Sequence, residues 1–109
     1  AYEDAMLSDA DLERYARQVI MPHVGENGQE RLLAARVLVV GAGGLGAPVI
    51  LYIAAAGIGH ITIIDDDMLS RTDLNRQIIY RDADVGSAKA LLAAQAAKAL
   101  TQIFKCLTL

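Results

Sequence analysis

The feature that most restricts how this chain can fold is the junction at residues 37–46, Val-Leu-Val-Val-Gly-Ala-Gly-Gly-Leu-Gly. A short apolar, valine-rich run predicts a buried strand, and the glycines that follow allow an abrupt reversal of the backbone. A second apolar run, Ile61–Ile64, ends on Asp65, nineteen residues beyond Gly46. Strand, glycine turn, helix, strand and acid in this order form the dinucleotide-binding fingerprint of an α/β, Rossmann-like fold. In that fingerprint Gly41 permits the tight turn, Gly43 lets a phosphate approach the backbone, and Gly46 allows close helix–strand packing. The N–H groups of Gly44 and Leu45 then meet phosphate at the positive end of the helix dipole. The same turn can also exist with no ligand.

Several other classes are excluded. No Asp, Glu, Lys or Arg occurs from Val37 through Ile64, a stretch long enough to span a bilayer, but six glycines and Pro48 interrupt any continuous apolar helix. The N-terminus lacks a basic-then-apolar signal. A net charge of −3 argues against nucleic acid. The single Cys106 provides neither an internal disulfide nor a zinc site, so a reducing, cytoplasmic setting is expected. At 109 residues the chain fits one domain, with 1–35 as a helical arm and 36–109 as a Rossmann half.

Along the arm, Ser8 with Asp11 predicts a capped helix that carries Leu12, Tyr15 and Val19 on one face and ends near Pro22. Gly25 and Gly28 bracket a turn, and Gln29–Ala35 reads as a second short helix. In the Rossmann half, Val37–Val40 reads as a fully buried strand, followed by a helix over about 44–56 with Pro48 in its first turn. Gly57 and Gly59 stop that helix before the strand Ile61–Ile64. An irregular polar stretch, 66–86, suits a binding loop with one helical turn around Leu74–Ile78. Ser87 is read as the cap of a helix reaching about Leu100, and Ile103–Leu109 as a third strand.

Asp65, at the end of the second strand, is placed to bind ribose hydroxyls. Side chains alternate at a strand end, so only Asp65 and Asp67 are expected to share a face, where Asp67 serves either as a magnesium ligand or as a solvated acid. Asn75-Arg76-Gln77 and Lys89 add what a plain dinucleotide site lacks. A triphosphate carries more charge than backbone donors neutralise, and Arg76 and Lys89 are candidate cations for it.

Arg14-Tyr-Ala-Arg-Gln-Val, Gly28-Gln-Glu, the segment 36–46, Ala55-Ala-Gly-Ile-Gly, Asp65-Asp-Asp, Leu74-Asn-Arg-Gln and Asp84-Val-Gly-Ser-Ala-Lys occur in one order. Over about residues 8–100 this resembles the N-terminal part of the MoeB/ThiF/HesA family, relatives of the ubiquitin-activating enzymes. The resemblance implies a three-layer α/β fold in which a partial parallel sheet carries two N-terminal helices. It implies adenylation, with ATP and Mg2+, of the C-terminal glycine of a ubiquitin-fold sulfur-carrier protein ending in Gly-Gly. Gly41, Gly43, Gly44 and Gly46 would line the phosphates, Asp65 would hold the ribose, and Arg76 and Lys89 would contact phosphate. Asn75 and Gln77 would shape the loop, and Arg17 would enter the partner subunit's site, making the working unit a homodimer.

Three departures stand out. Asp73 replaces a usual asparagine, and an acid there would repel phosphate unless it points outward. The Asn-Pro that commonly follows the helix ending near Leu100 is replaced by Thr101-Gln-Ile-Phe. The family is about twice this length, so the main magnesium-binding aspartate and the carrier-binding surface are expected beyond Leu109. On that basis the chain is expected to be a fragment with weak or no adenylation activity. A non-catalytic dimerisation scaffold and a nicotinamide-dependent dehydrogenase are the other readings.

Overall fold

The computed structural model of the chain describes residues 7–101 and 105–108. The arm comprises α1 (Asp9–Arg14), α2 (Ala16–Val19) and α3 (Gly25–Ala34). Beyond it come β1 (Arg36–Val40), α4 (Gly46–Ala55), β2 (His60–Ile64), α5 (Lys89–Leu100) and β3 (Lys105–Thr108). Two short 3-10 turns, Arg71–Asn75 and Asp82–Asp84, lie in the long loop between β2 and α5.

Ser8 caps α1 as expected, in a reciprocal capping box with Asp11. The first predicted helix is divided, because Tyr15 leaves helical geometry (φ −106°, ψ 16°) and is only 2% exposed. The second begins earlier than expected: Gly25 opens it at φ +63°, and Gly28 lies inside it rather than in a turn. This arm is fastened to the far end of α4. Gln18 and Gln29 each donate a side-chain N–H to the Ala56 carbonyl, at 3.0 and 3.1 Å, and so satisfy an acceptor that the helix end leaves over. A side chain at Gly57 would collide with the Tyr15 ring and the Gln29 amide, so this contact requires glycine.

The sheet is parallel throughout, in the order β1-β2-β3, with Val37 opposite Ile61, Val39 opposite Ile63, and Ile61 opposite Cys106. One face packs Val39, Ile61 and Ile63 against the apolar sides of α4 (Ala47, Ile50, Ala54) and α5 (Ala90, Ala93, Ala94, Ala97). These small alanine faces let the two helices lie close together over the sheet.

The fully buried strand expected at Val37–Val40 is corrected. Only Val39 is buried there, whereas Leu38 and Val40 are 57% and 74% exposed. Alternation sends these two side chains to the opposite face, which no helix covers among the described residues. The third strand starts at Lys105 and pairs with β2; Ile103, Phe104 and Leu109 lie outside the described residues. Ser87 does not cap α5. Ala88 holds that position, and the Ser87 carbonyl instead accepts the Leu69 N–H. No helix among the described residues is long and apolar enough to cross a membrane, since the uncharged stretch 37–64 divides into β1, α4 and β2.

Candidate nucleotide-binding site

At the end of β1 the chain turns through Gly41, whose φ of +96° suits glycine and whose N–H donates to the Ile64 carbonyl at 2.7 Å. A Cβ on Gly46 would strike the Gly41 carbonyl, so the helix can begin directly against the turn only because that position lacks one. Gly44 faces open space. The N–H groups of Gly43, Gly44 and Leu45 donate to no acceptor among the described residues. Free amide donors at the start of α4 are the arrangement that suits a phosphate.

Asp65 stands beside this turn. Its Oδ2 accepts the Ala42 N–H and its Oδ1 the Asp67 N–H, both at 2.7 Å. The carboxylate therefore shapes the glycine turn from within, and its remaining lone pairs are available to a ligand hydroxyl. The expectation that only Asp65 and Asp67 share a face is corrected. Strand geometry ends at Ile64, so the alternation does not extend to these residues, and carboxylate oxygens of Asp65, Asp66 and Asp67 lie within 4.8 Å of one another. Such a set of oxygen donors is compatible with a hard cation.

The loop cations converge on Asp73. Its Oδ2 lies 3.1 Å from Lys89 Nζ and its Oδ1 3.8 Å from Arg76 Nη2. Gln77 Nε2 also donates to Oδ1, at 3.4 Å. The Ser70 N–H donates to Oδ2 at 3.0 Å, which makes Asp73 the third residue of a capping box for the 3-10 turn. Asp73 thus points inward, at 9% exposure, and not away from the site. The Ser70 N–H and then Lys89 hold its carboxyl below the usual aspartate range. Lys89 is 5% exposed and opens α5, with its backbone N–H on the Asp67 carbonyl. Arg76 is exposed and braced by the Asn75 side chain (3.0 Å) and the Thr72 carbonyl (3.3 Å). Gln77 is 4% exposed; its Oε1 has no partner, and its Nε2 lies 3.7 Å from the Cβ position of Gly43.

Tyr80 was not singled out by the sequence. Its hydroxyl donates a short hydrogen bond to the carbonyl of Ala42, and Lys89 O lies 3.5 Å away. One side chain thereby staples the glycine turn to the start of α5. Burial, with the charges of Asp65 and Asp73 behind it, raises the Tyr80 pKa above the ordinary tyrosine value. Its sequence signal was slight: a tyrosine following Ile78 and Ile79 in a loop that is otherwise polar.

Arg17 is not brought to this cluster. It is exposed on α2, whose neighbouring Gln18 is bonded to Ala56 past the C-terminal end of α4, whereas the glycine turn lies at its N-terminal end. The ten residues of α4 separate the two by about 15 Å.

Residues 15–105 match the ThiF family. The chain belongs to that family. It is 53% identical over 88 residues to the SAMP-activating enzyme E1 of Haloferax volcanii, covering 81% of this chain and 33% of that protein. It is 47% identical over 95 residues to the sulfur carrier protein adenylyltransferase of Thermus thermophilus, covering 87% and 35%. This ThiF chain therefore spans about a third of the length of these relatives. Among solved structures it resembles tRNA N6-threonylcarbamoyladenosine dehydratase of E. coli in complex with ATP. That match has a TM-score of 0.86 and 32% identity, over 94% of this chain and 41% of that one.

Proposed function

We propose that this ThiF chain is the nucleotide-binding part of an ATP-dependent adenylyltransferase that activates the C-terminal glycine of a ubiquitin-like sulfur-carrier protein. The observation that carries this reading is the junction of two parts at one place. Free N–H groups on Gly43, Gly44 and Leu45 adjoin Gln77 and, through it, the Asp73–Lys89–Arg76 charge cluster. A related chain of similar fold was solved with ATP, which supports the same ligand here.

In this reading the glycine turn binds the phosphates, Asp65 orients the ribose, and Arg76 and Lys89 meet negative charge that develops on the α-phosphate and on departing pyrophosphate. Asn75 and Gln77 hold the loop that carries Arg76. The attacking group is a carboxylate, already ionised near neutral pH, so no general base is required. Mg2+, when bound, supplies further neutralisation of phosphate charge; Asp67, whose carboxylate lies with those of Asp65 and Asp66, would contribute to its coordination sphere. Arg17, at the opposite end of α4 from the glycine turn, serves the site of a second subunit, so the working unit is a homodimer. The molybdopterin and thiamine types of sulfur transfer both fit this chemistry.

Two measurements test the reading. Titration with a fluorescent ATP analogue and, separately, with NADH is expected to show saturable binding of the first alone. In a fusion that adds the remaining length of the Thermus thermophilus relative after this segment, ATP–pyrophosphate exchange is expected to depend on a carrier ending in Gly-Gly. Tighter binding of NADH than of ATP overturns the assignment in favour of a dehydrogenase. Nucleotide binding with no exchange by that fusion in the presence of such a carrier leaves a non-catalytic dimerisation module.

A further inference from the structure

The buried carboxylate of Asp73 is the one group in the cluster whose charge opposes the ligand. We propose that Asp73 is a specificity-determining residue of the nucleotide site, holding Lys89 and Arg76 against itself so that the site favours the cation-complexed nucleotide over the free polyanion. The inference rests on the nucleotide-site reading above and adds which form of the ligand the site accepts.

The geometry supports it in three ways. First, Asp73 takes the buried cation directly, Oδ2 to Lys89 Nζ at 3.1 Å, and draws the exposed one to 3.8 Å. One negative charge is thereby set against two positive ones, and the net cationic charge facing a phosphate is halved. Second, the pair adjoins the glycine turn. Gln77 Nε2 donates to Asp73 Oδ1 and stands 3.7 Å from where a Cβ on Gly43 would lie, while Tyr80 connects Ala42 with the backbone of Lys89. Third, Asp73 is fixed in place: the Ser70 N–H holds the same oxygen that Lys89 uses, so the carboxylate cannot swing away without breaking the capping box. A phosphate that recruits Lys89 must compete with an anchored counter-charge. Gln77 Oε1, buried without a donor, is a further acceptor beside the cluster and adds no attraction for an anion.

The test compares the protein with Asp73→Asn, which keeps the shape and an oxygen for the Ser70 N–H but removes the charge. Affinities for AMP, ADP, ATP in EDTA, and ATP with excess Mg2+ are measured by calorimetry. Asp73→Asn is expected to tighten ATP binding in EDTA by about tenfold, with smaller gains for ADP and then AMP, and a smaller gain with Mg2+ present. Asp73→Glu, which retains the charge, is expected to keep the original order of affinities. A merely structural role moves all four ligands alike and overturns the proposal. Loss of Mg-ATP binding alone also overturns it, because Asp73 would then be a metal ligand. Binding by the Asn variant but not by the natural protein supports the proposal. Binding by neither defeats both this inference and the nucleotide reading. If the Asn variant fails to fold, Asp73→Gln, a neutral residue whose amide oxygen can accept the Ser70 N–H in a capping box, takes its place and is compared with Asp73→Glu.

Discussion

Removing one oxygen atom from Tyr80 tests how the glycine turn is held. In Tyr80→Phe the ring still fills its place, at a residue 5% exposed, but the Ala42 carbonyl loses its side-chain donor. Ala42 is fully buried (0% exposed), so water cannot easily replace the hydroxyl. Leaving a buried acceptor unpaired costs about 1–2 kcal/mol. For a domain of this size that lowers the midpoint of thermal unfolding by about 5–10 °C. The effect should also reach the ligand. Ala42 N–H is the donor that positions Asp65, and Tyr80 ties its carbonyl to the residue that opens α5, so ATP affinity is expected to fall by about three- to tenfold as the turn loosens. Differential scanning fluorimetry and a nucleotide titration read the two effects, with Tyr52→Phe as control, since Tyr52 is 78% exposed. A midpoint within about 1 °C of the original, together with unchanged affinity, would show that the hydroxyl does not hold the turn.

Gly46→Ala is expected to destabilise by about 1–3 kcal/mol in urea unfolding, because its Cβ meets the Gly41 carbonyl. Gly44→Ala, which meets nothing within 4 Å, should change stability by less than about 0.5 kcal/mol yet weaken ATP binding at least severalfold where the methyl group blocks the phosphate. Burial raises the pKa of both Tyr15 and Tyr80. Their contribution to stability should therefore be level up to about pH 10, where unfolded tyrosine ionises, and then fall by up to about 1.4 kcal/mol per pH unit for each residue. Tyr80→Phe should make that alkaline decline shallower, which denaturant melts from pH 9 to 11 would show. In a fusion that adds the remaining length of the Thermus thermophilus relative, Arg17→Ala is expected to leave ATP affinity within twofold of the original while lowering carrier-dependent pyrophosphate exchange at least tenfold; a matching loss of affinity would place Arg17 in its own subunit's site.

Most element types were legible in the sequence, whereas their surroundings were not. The Ser8 cap, Pro48 in the first turn of α4 and the stop at Gly57 follow from local backbone chemistry and appear where expected. The burial of Val37–Val40 was misjudged because an uninterrupted apolar run implies cover on both faces, and the described residues cover only one. The division at Tyr15 was invisible because it arises from a ring drawn against Gly57, forty-two positions away in sequence.

The sequence by itself determined the strand–glycine turn–helix–strand–acid order and the types of group that gather around it, because φ/ψ freedom and side-chain period act over a few residues. Only the tertiary structure decided how those groups are paired. Arg76 and Lys89 read as two free cations for phosphate; the fold turns both toward Asp73, an acid expected to face outward if it was to be tolerated. Tyr80, a residue with only a slight local signal, proved to be the staple of the glycine turn. For Lys89, Asp73 and Tyr80, all buried, the physical reason is the same. Burial removes water as a partner, so a charge or hydroxyl that loses water is stabilised by whatever group the chain has brought near.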